Sequence, residues 1–300
     1  METNFIEDML AENLKALRPY VSKNNIEAYR ILNCPFGIPV AVDIYKDNAV
    51  IHVFDVLDED IRKTLEESLK KVVGAQWFFY KNRTKGNIEL PKSAPKEIII
   101  NEYGNKFFIN LSDYKDTGIF LDHRETRKWI ASKSLGKTIL NTFAYTGSFS
   151  VYAAKGGAKL THSVDLSKTY CEWTKKNFEL NNMDLKQNWV LKMDTREYFK
   201  YARKKHLAFD IIIIDPPTFS RNKGASFSVQ KDHPELINEA LSLLTPDGFI
   251  LFSNNYTEFS LQENKLNPCE ARQKFGTLPP DFEETQAHQC FIITSRRSGY

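Results

Sequence analysis

The chain is poor in cysteine. It has four in 300 residues, Cys34, Cys171, Cys269 and Cys290, far apart and with no paired C-x-x-C spacing. That argues against a disulfide framework and a structural zinc site, so no metal is expected, and it suits a reducing compartment. Long apolar runs are missing too, and nothing approaches the length of a membrane span. The first residues, Met1-Glu2-Thr3-Asn4-Phe5-Ile6-Glu7-Asp8, are acidic and lack the apolar segment of a signal peptide. A cytoplasmic protein is expected. Charge of one sign is also scarce: 41 Lys and Arg stand against 38 Asp and Glu, a net charge of +3. Such a balance permits a nucleic-acid partner without arguing for one, because a basic face matters more than the sum. There is no internal repeat and no low-complexity tract. What is present is ordinary: 42% apolar and 26% charged residues, in a chain long enough for one large domain or two modest ones.

The clearest punctuation is Leu90-Pro91-Lys92-Ser93-Ala94-Pro95, where two prolines favour an extended connector. It divides the chain into a small α+β domain, 1–95, and a larger α/β domain, 96–300. In the first, apolar spacing predicts helices over 5–18 and 60–73, and strands over 28–32, 40–45, 49–56 and 77–80. The last strand runs into three positive charges, Lys81, Arg83 and Lys85, which read either as a solvated turn or as a phosphate-contacting edge. After the connector, 97–102 and 106–111 flank Tyr103-Gly104-Asn105 and read as a hairpin. Strands over 138–143, 160–164, 189–193, 209–214 and 249–253 then alternate with helices over 148–155, 167–180, 195–204 and 235–244. Alternation of this kind predicts a mostly parallel, doubly wound sheet covered on both faces, with ligands beyond the carboxyl ends of its strands.

Those strand ends carry candidate chemistry. The first runs into Asn141-Thr142-Phe143-Ala144-Tyr145-Thr146-Gly147-Ser148. Its single glycine is not the G-x-G-x-x-G nest of a pyrophosphate site, and the turn reads equally as a plain β–α connection. The second ends at Asp165, placed either to accept from ribose hydroxyls or to cap a helix in competition with Ser167. The third ends at Asp194, either beside an adenine amino group or capping the helix from Thr195. Gly, Asp and Asp in that order are hard to reach by chance. The fourth strand, Ile211-Ile212-Ile213-Ile214, leads directly into Asp215-Pro216-Pro217-Thr218-Phe219. The prolines stop the strand, the carbonyls face the cleft, and Phe219 offers a stacking surface for a flat base.

Asp215-Pro216-Pro217-Thr218-Phe219 resembles the motif of amino methyltransferases that act on nucleobases. A closer resemblance runs through the chain. The segment from Asn110 to Arg124, including Gly118-Ile119-Phe120-Leu121-Asp122-His123-Arg124, is similar to the one preceding the catalytic core in the RlmI/RlmK group of large-subunit rRNA methyltransferases. Asn141 to Ser148, Asp165-Leu166-Ser167-Lys168, Asp215 to Ser220 and Phe252-Ser253-Asn254-Asn255 continue it. Residues 8–30 resemble the start of the guanine-N7 half of the bifunctional RlmK/L member. The match departs most between Tyr256 and Pro280. The resemblance implies a Rossmann-like class I methyltransferase fold, S-adenosylmethionine as cofactor (S-adenosylhomocysteine as product), and 23S rRNA or pre-ribosomal large-subunit RNA as partner. It also implies a cofactor lying over Asn141, Phe143, Tyr145 and Gly147, with Asp165 on the ribose and Asp194 near the adenine, and Ser167, Thr195 and Asp215 also binding it. Phe120 and Arg124 would close over the cofactor, and Arg124 or Arg127 would hold its carboxylate.

Two base chemistries compete within that reading. Methylation at cytosine C5 needs a cysteine thiolate to add to the ring, and related cytosine enzymes carry it at the end of the fifth strand. Here that stretch is Phe252-Ser253-Asn254-Asn255, no cysteine adjoins Asp215 or Asn254 in sequence, and no histidine is evident to activate Ser253. Guanine N7 already presents a lone pair and needs only alignment. The expected catalytic set is therefore Asp215, Pro216, Pro217, Phe219 and Asn254. A cytosine-C5 enzyme and a non-catalytic RNA-binding factor on the same fold are the alternatives. The polar, basic stretch Ser220 to Ser226 is expected to be a loop that orders over RNA.

Overall fold

Alternating apolar positions set the first sheet. The computed structural model describes residues 2–84, 86, 88–91, 93–222 and 225–296. It divides into two compact units, Met1–Leu121 with Pro280–Phe282, and Asp122–Pro279 with Glu283–Tyr300.

In the first unit, helices α1 (Glu2–Lys23) and α2 (Glu59–Val73) accompany a five-stranded sheet of β1 (Ala28–Asn33), β2 (Val40–Tyr45), β3 (Asn48–Val53), β4 (Trp77–Asn82) and β5 (Ile88–Glu89). The strands lie in sequence order, with β3 and β4 parallel and the other neighbours antiparallel. Ile6, Leu10 and Leu17 of α1 and Leu65 and Leu69 of α2 share one core with Val40, Val42, Ile44, Ala49 and Ile51. Asp58 caps α2 by accepting from the amides of Asp60 and Ile61, leaving the helix one residue longer than its apolar period suggests.

The hairpin of β6 (Glu97–Glu102) and β7 (Asn105–Asn110) belongs to this first unit. Residue 95, the proline connector, therefore falls inside the unit, whose chain continues to Leu121. The reason is local pairing: Glu27 N donates to Asn101 O at 3.0 Å and the Glu27 carboxylate accepts from Asn101 N at 2.7 Å. The short turn Pro280–Phe282 joins the same unit through Asp281, which accepts from Arg30 N at 3.0 Å, and Phe282, whose ring lies under the Arg30 guanidinium at 4.5 Å.

The second unit holds the doubly wound sheet. Helix α3 (Arg124–Lys133), which apolar periodicity did not reveal, leads into β8 (Thr138–Thr142), α4 (Ser148–Lys155), β9 (Leu160–Asp165), α5 (Lys168–Leu180), β10 (Asn188–Lys192), α6 (Thr195–Lys204) and β11 (Phe209–Ile214). A hairpin of β12 (Phe219–Asn222) and β13 (Ala225–Ser228) follows, then α7 (Val229–Leu241), β14 (Leu244–Asn254), β15 (Cys269–Gln273) and β16 (Gln289–Ser295). The sheet order is β10-β9-β8-β11-β14-β16-β15. Its first five strands are parallel, and β16 runs antiparallel to both β14 and β15. The chain reverses direction across the sheet between β8 and β11, which makes their ends the switch point where ligands bind in such folds.

Strand β11 shows how both faces are covered. Ile211 and Ile213 pack with Ile130 of α3 and Phe149 and Ala153 of α4. Ile212 and Ile214 point the other way, to Tyr198 and Phe199 of α6 and Leu236 and Ile237 of α7. Helix α7 starts at Val229, six residues earlier than its apolar spacing suggests, and runs through Pro234.

Candidate active site

The turn after β8 is strained where it faces the strand ends. Phe143 and Tyr145 both hold positive φ (52° and 51°), as does Gly147 at 76°. Left-handed backbone costs a non-glycine residue roughly 1–2 kcal/mol, and such strain clusters at ligand clamps. At Gly147 two needs coincide. Its φ favours glycine, and a Cβ there would lie 2.4 Å from Thr174 Cγ2 on α5. The glycine therefore lets α5 approach the start of α4, a packing role that the sequence alone does not disclose. Phe143 sets its ring 6.1 Å from Phe227 of β13. Asn141 is buried and donates to Ser150 Oγ at 3.0 Å, so its amide is engaged beneath the turn.

Asp165, at the end of β9, accepts from Tyr145 N through Oδ2 at 2.9 Å and from Ser167 N through Oδ1 at 2.8 Å. Ser167 is the helix cap of α5, accepting from Tyr170 N. Asp165 therefore braces the β8–α4 turn against the β9–α5 turn. Burial raises its carboxyl above the usual range, against those two amide bonds. Asp194 is exposed and caps α6, with Oδ1 accepting from Arg196 N at 2.9 Å and Glu197 N at 3.4 Å. Thr195, the first residue of α6, is buried.

Beyond β11, Pro216 is buried and Pro217 exposed. Phe219 is 67% exposed, with its ring edge-on to Tyr256 at 6.2 Å. Thr218 Oγ1 donates to Asn255 Oδ1 at 2.7 Å, tying this turn to the end of β14. The side chain of Asn254 is buried. Its Oδ1 accepts from Tyr256 N at 3.1 Å, which fixes the amide orientation, while Nδ2 has no hydrogen-bond partner among the described residues. A buried amide donor left without a partner costs about 1–3 kcal/mol, and at 1% exposure the protein itself covers this one.

Asp215 stands on a buried polar cluster that the sequence did not reveal. His123 Nε2 lies 3.5 Å from Asp215 Oδ2, 3.4 Å from Ser253 Oγ and 3.9 Å from Asp122 Oδ2. His288 donates from Nδ1 to Asp122 Oδ2 at 2.7 Å and stacks on His123, with ring centroids 3.9 Å apart and planes 10° from parallel. Burial first, with Asp122 adding, pushes the Asp215 carboxyl up to about 6, against the His288 charge and a hydrogen bond with Ser253. Although burial opposes it, the bond to Asp122 lifts His288 to about 10, whereas burial takes His123 well below its usual value. Cys290 on β16 pairs in register with Ser253 on β14. One sequence expectation changes here: a histidine, His123 ahead of α3, does lie beside Ser253. It was hidden because the contact joins residues 130 positions apart in the chain.

Other expected residues fall elsewhere. Arg124 and Arg127 are fully buried at the start of α3, with the Arg127 guanidinium 5.7 Å from the centre of the Tyr152 ring. Phe120 is 42% exposed and belongs to the first compact unit. The basic edge is not a free surface. Lys81 is 1% exposed and donates to Tyr114 O at 2.8 Å. Arg83 pairs with Asp116 at 2.8 Å and donates to His52 Nδ1. Lys85 lies outside the described residues. The stretch read as a loop, 220–226, is strand-paired on both sides, with Ser220 opposite Phe227 and Arg221 opposite Ser226; Lys223 and Gly224 lie outside the described residues.

Among the described residues no helix is long and apolar enough to cross a membrane. The carboxylates at the strand ends suit a nucleoside-bearing ligand, whose hydroxyl and amino groups need acceptors. A family model described as S-adenosylmethionine-dependent methyltransferase matches residues 77–267. Ribosomal RNA large subunit methyltransferase K of Neisseria meningitidis serogroup B is 37% identical over 301 residues, spanning 95% of this chain and 85% of that protein. Ribosomal RNA large subunit methyltransferase K/L of a Marinomonas species is 37% identical over 305 residues, spanning 96% of this chain but 42% of the relative, so against that longer relative the chain spans less than half the length. A methyltransferase crystallised with S-adenosylhomocysteine superposes with a TM-score of 0.86 at 32% identity, covering 97% of this chain and 81% of that one. The matched span opens at the first residue of β4 and closes beyond β14, taking in every strand end described above, and on that footing the chain belongs to the S-adenosylmethionine-dependent methyltransferases, with S-adenosylmethionine as its methyl donor.

Proposed function

We propose that the chain methylates a base of 23S rRNA, and that the base is guanine, at N7. The observation that carries the choice of base is that β14 runs out in Ser253-Asn254-Asn255, and Cys290, the register partner of Ser253, is 1% exposed in the core. Cytosine C5 needs a thiolate to add to the ring, whereas guanine N7 already presents a lone pair and needs only alignment with the methyl group. The similarity to ribosomal RNA large subunit methyltransferase K supports the RNA class.

The remaining roles follow from position. Asp165 keeps lone pairs for ribose hydroxyls beyond the two amides it serves. Asp194 and Thr195 stand at the neighbouring strand end, where the adenine would lie, and Ser167 lies beside Asp165. Phe143, Tyr145 and Gly147 form the turn under the donor, with Asn141 holding it from below. Phe219 is exposed enough to stack on the target base. When bound, the sulfonium supplies an electrophilic methyl group. Alignment by the protein contributes on the order of 7 kcal/mol or more at the effective molarities of well-oriented reactants. The methylated ring gains positive charge, which the Asp215 carboxylate or the Pro216 carbonyl offsets.

A second reading, cytosine C5, draws on the placement of Cys290 opposite Ser253. Against it, Cys290 is 1% exposed and packs with Ile211, Ile213 and Leu251, so its sulfur would have to leave the core to reach a base. Incubation with S-adenosylmethionine and deproteinised 23S rRNA, followed by borohydride reduction and aniline cleavage, is expected to cut the RNA at one guanine. Bisulfite sequencing of the same RNA is expected to show no newly protected cytosine. A protected cytosine that vanishes in Cys290→Ser would replace the guanine reading with the cytosine one.

A further inference from the structure

The cluster behind Asp215 contains three ligand atoms, from His123, His288 and Cys290, within 4.8 Å of one another. It does not suit a shared ion. An imidazole nitrogen binds along its sp² lone pair, in the plane of its ring, and two rings stacked 10° from parallel at 3.9 Å cannot both contain the same point. The stack suits a different task.

His123 has one side that matters. Three oxygens, from Asp215, Ser253 and Asp122, gather around Nε2, while Nδ1 is buried with no partner among the described residues. A single proton on Nε2 serves those oxygens, and a second on Nδ1 would be buried and unbonded. The ring is therefore neutral, with its N–H aimed at the carboxylates. Its plane is held from two sides, by His288 in the stack and by the edge of Phe149 at 5.5 Å. His288 carries the cluster's positive charge, anchored on Asp122 and one ring removed from Asp215. The groups that face Asp215 are Asp122 and His123 ahead of α3, Arg127 on α3, Ser253 on β14, and His288 just before β16.

We propose that His123, clamped on the Asp122–His288 ion pair, is a positioning residue that holds the Asp215 carboxylate ionised and turned toward the cleft. The positive end of the Nε2–H bond faces the carboxylate from 3.5 Å. Ser253, which hydrogen-bonds Asp215, lies 3.4 Å from the same nitrogen, and the His288 charge behind them favours the ionised form. Asp215 keeps 25% of its side chain exposed, so the face away from His123 stays open to a ligand. This rests on the reading of Asp215 as the group that offsets charge on the methylated base.

The test has a readout that does not depend on RNA. Infrared difference spectra across pH report protonation of the Asp215 carboxyl, assigned by Asp215→Asn. In the native protein the midpoint is expected near the raised value of about 6. His288→Gln, which removes the charge, and His123→Phe, which keeps a flat ring but loses the N–H, are expected to move it up by a pH unit or more. His123→Gln, which can donate from a similar place, is expected to return it toward the native midpoint. In the methyl-transfer assay, His123→Phe is expected to lower kcat at least tenfold with S-adenosylmethionine affinity and the KM for RNA little changed. The acidic limb of its kcat profile should move with the infrared midpoint, and His123→Gln should recover most of the rate. Native S-adenosylmethionine affinity in each variant verifies the fold. Midpoints that stay put in both His288→Gln and His123→Phe would overturn the proposal, even with a loss of rate. Midpoints that move while kcat holds would uphold the positioning contact and overturn the assignment of Asp215 to the base.

Discussion

Asp165 is a carboxylate with two employers. Each oxygen accepts from a backbone amide, and each keeps a lone pair, which the proposed role assigns to a ribose hydroxyl. Asp165→Ala is expected to weaken S-adenosylmethionine binding by about 1–3 kcal/mol, the cost of losing a charge-assisted hydrogen bond, as read by calorimetry. It should also lower Tm, because Tyr145 at φ 51° loses the acceptor that holds its amide. Unchanged affinity in a folded variant would refute the ribose role. The carboxylate and its spacing were legible in the sequence, but its bond to Tyr145 was not, since nothing local says that a residue twenty positions earlier turns its amide back. Asn254 repeats the lesson. The residue type announced a group able to donate and accept; only the bond from Tyr256 decided that its oxygen is engaged, with its nitrogen buried and unpaired among the described residues.

At the scale of elements, the β8–α4 turn depends on helix approach as much as on its own backbone. Gly147→Ala would place a methyl 2.4 Å from Thr174 Cγ2 at a φ of 76°. The left-handed penalty and the overpacking together are expected to destabilise the second unit by about 2–5 kcal/mol, as read by urea unfolding. Thr174→Ala in the same chain should recover part of the loss. A variant as stable as the native chain would show that α5 yields freely. Strand β4 carries the opposite surprise. Its charges looked like an outward edge, yet Lys81 points inward from a strand whose neighbours on either side are in register, and its ammonium is held by the Tyr114 carbonyl. Burial lowers that ammonium to about 8. A run of charges in sequence does not say which face of a strand each occupies when the pattern breaks apolar alternation.

Across the whole molecule, buried titratable groups pull stability in opposite directions with pH. His52 accepts from Arg83 at Nδ1 and bonds Asp43 through Nε2, so it is satisfied as a neutral ring. Burial lowers its pKa. Below about 6.5 the unfolded chain then binds a proton that the folded one refuses, and stability is lost as pH falls; His123 acts with the same sign. Asp215 is raised to about 6, so its burial costs stability as pH rises from about 4 to 6. His52→Gln, which can accept from Arg83 and donate to Asp43, is expected to reduce the acid-side loss in pH-dependent denaturant unfolding, and an unchanged pH slope would refute that assignment.

The sequence by itself determined the alternation of strands and helices, because the periods of 2 and 3.6 are local properties. It determined the strand-end residues as well, since a chain leaving a parallel strand must turn there. It did not determine what tertiary pairing alone supplies. Strand β16 lies antiparallel to β14 and brings His288 onto His123 across 165 residues of chain. Hairpin β12–β13 forms from polar residues by strand pairing without an apolar period. Arg83 is turned from a free cation into a partner of His52 and Asp116. Contacts of this kind depend on which distant strand becomes a neighbour, and that choice is made by burial of the whole sheet rather than by any one segment.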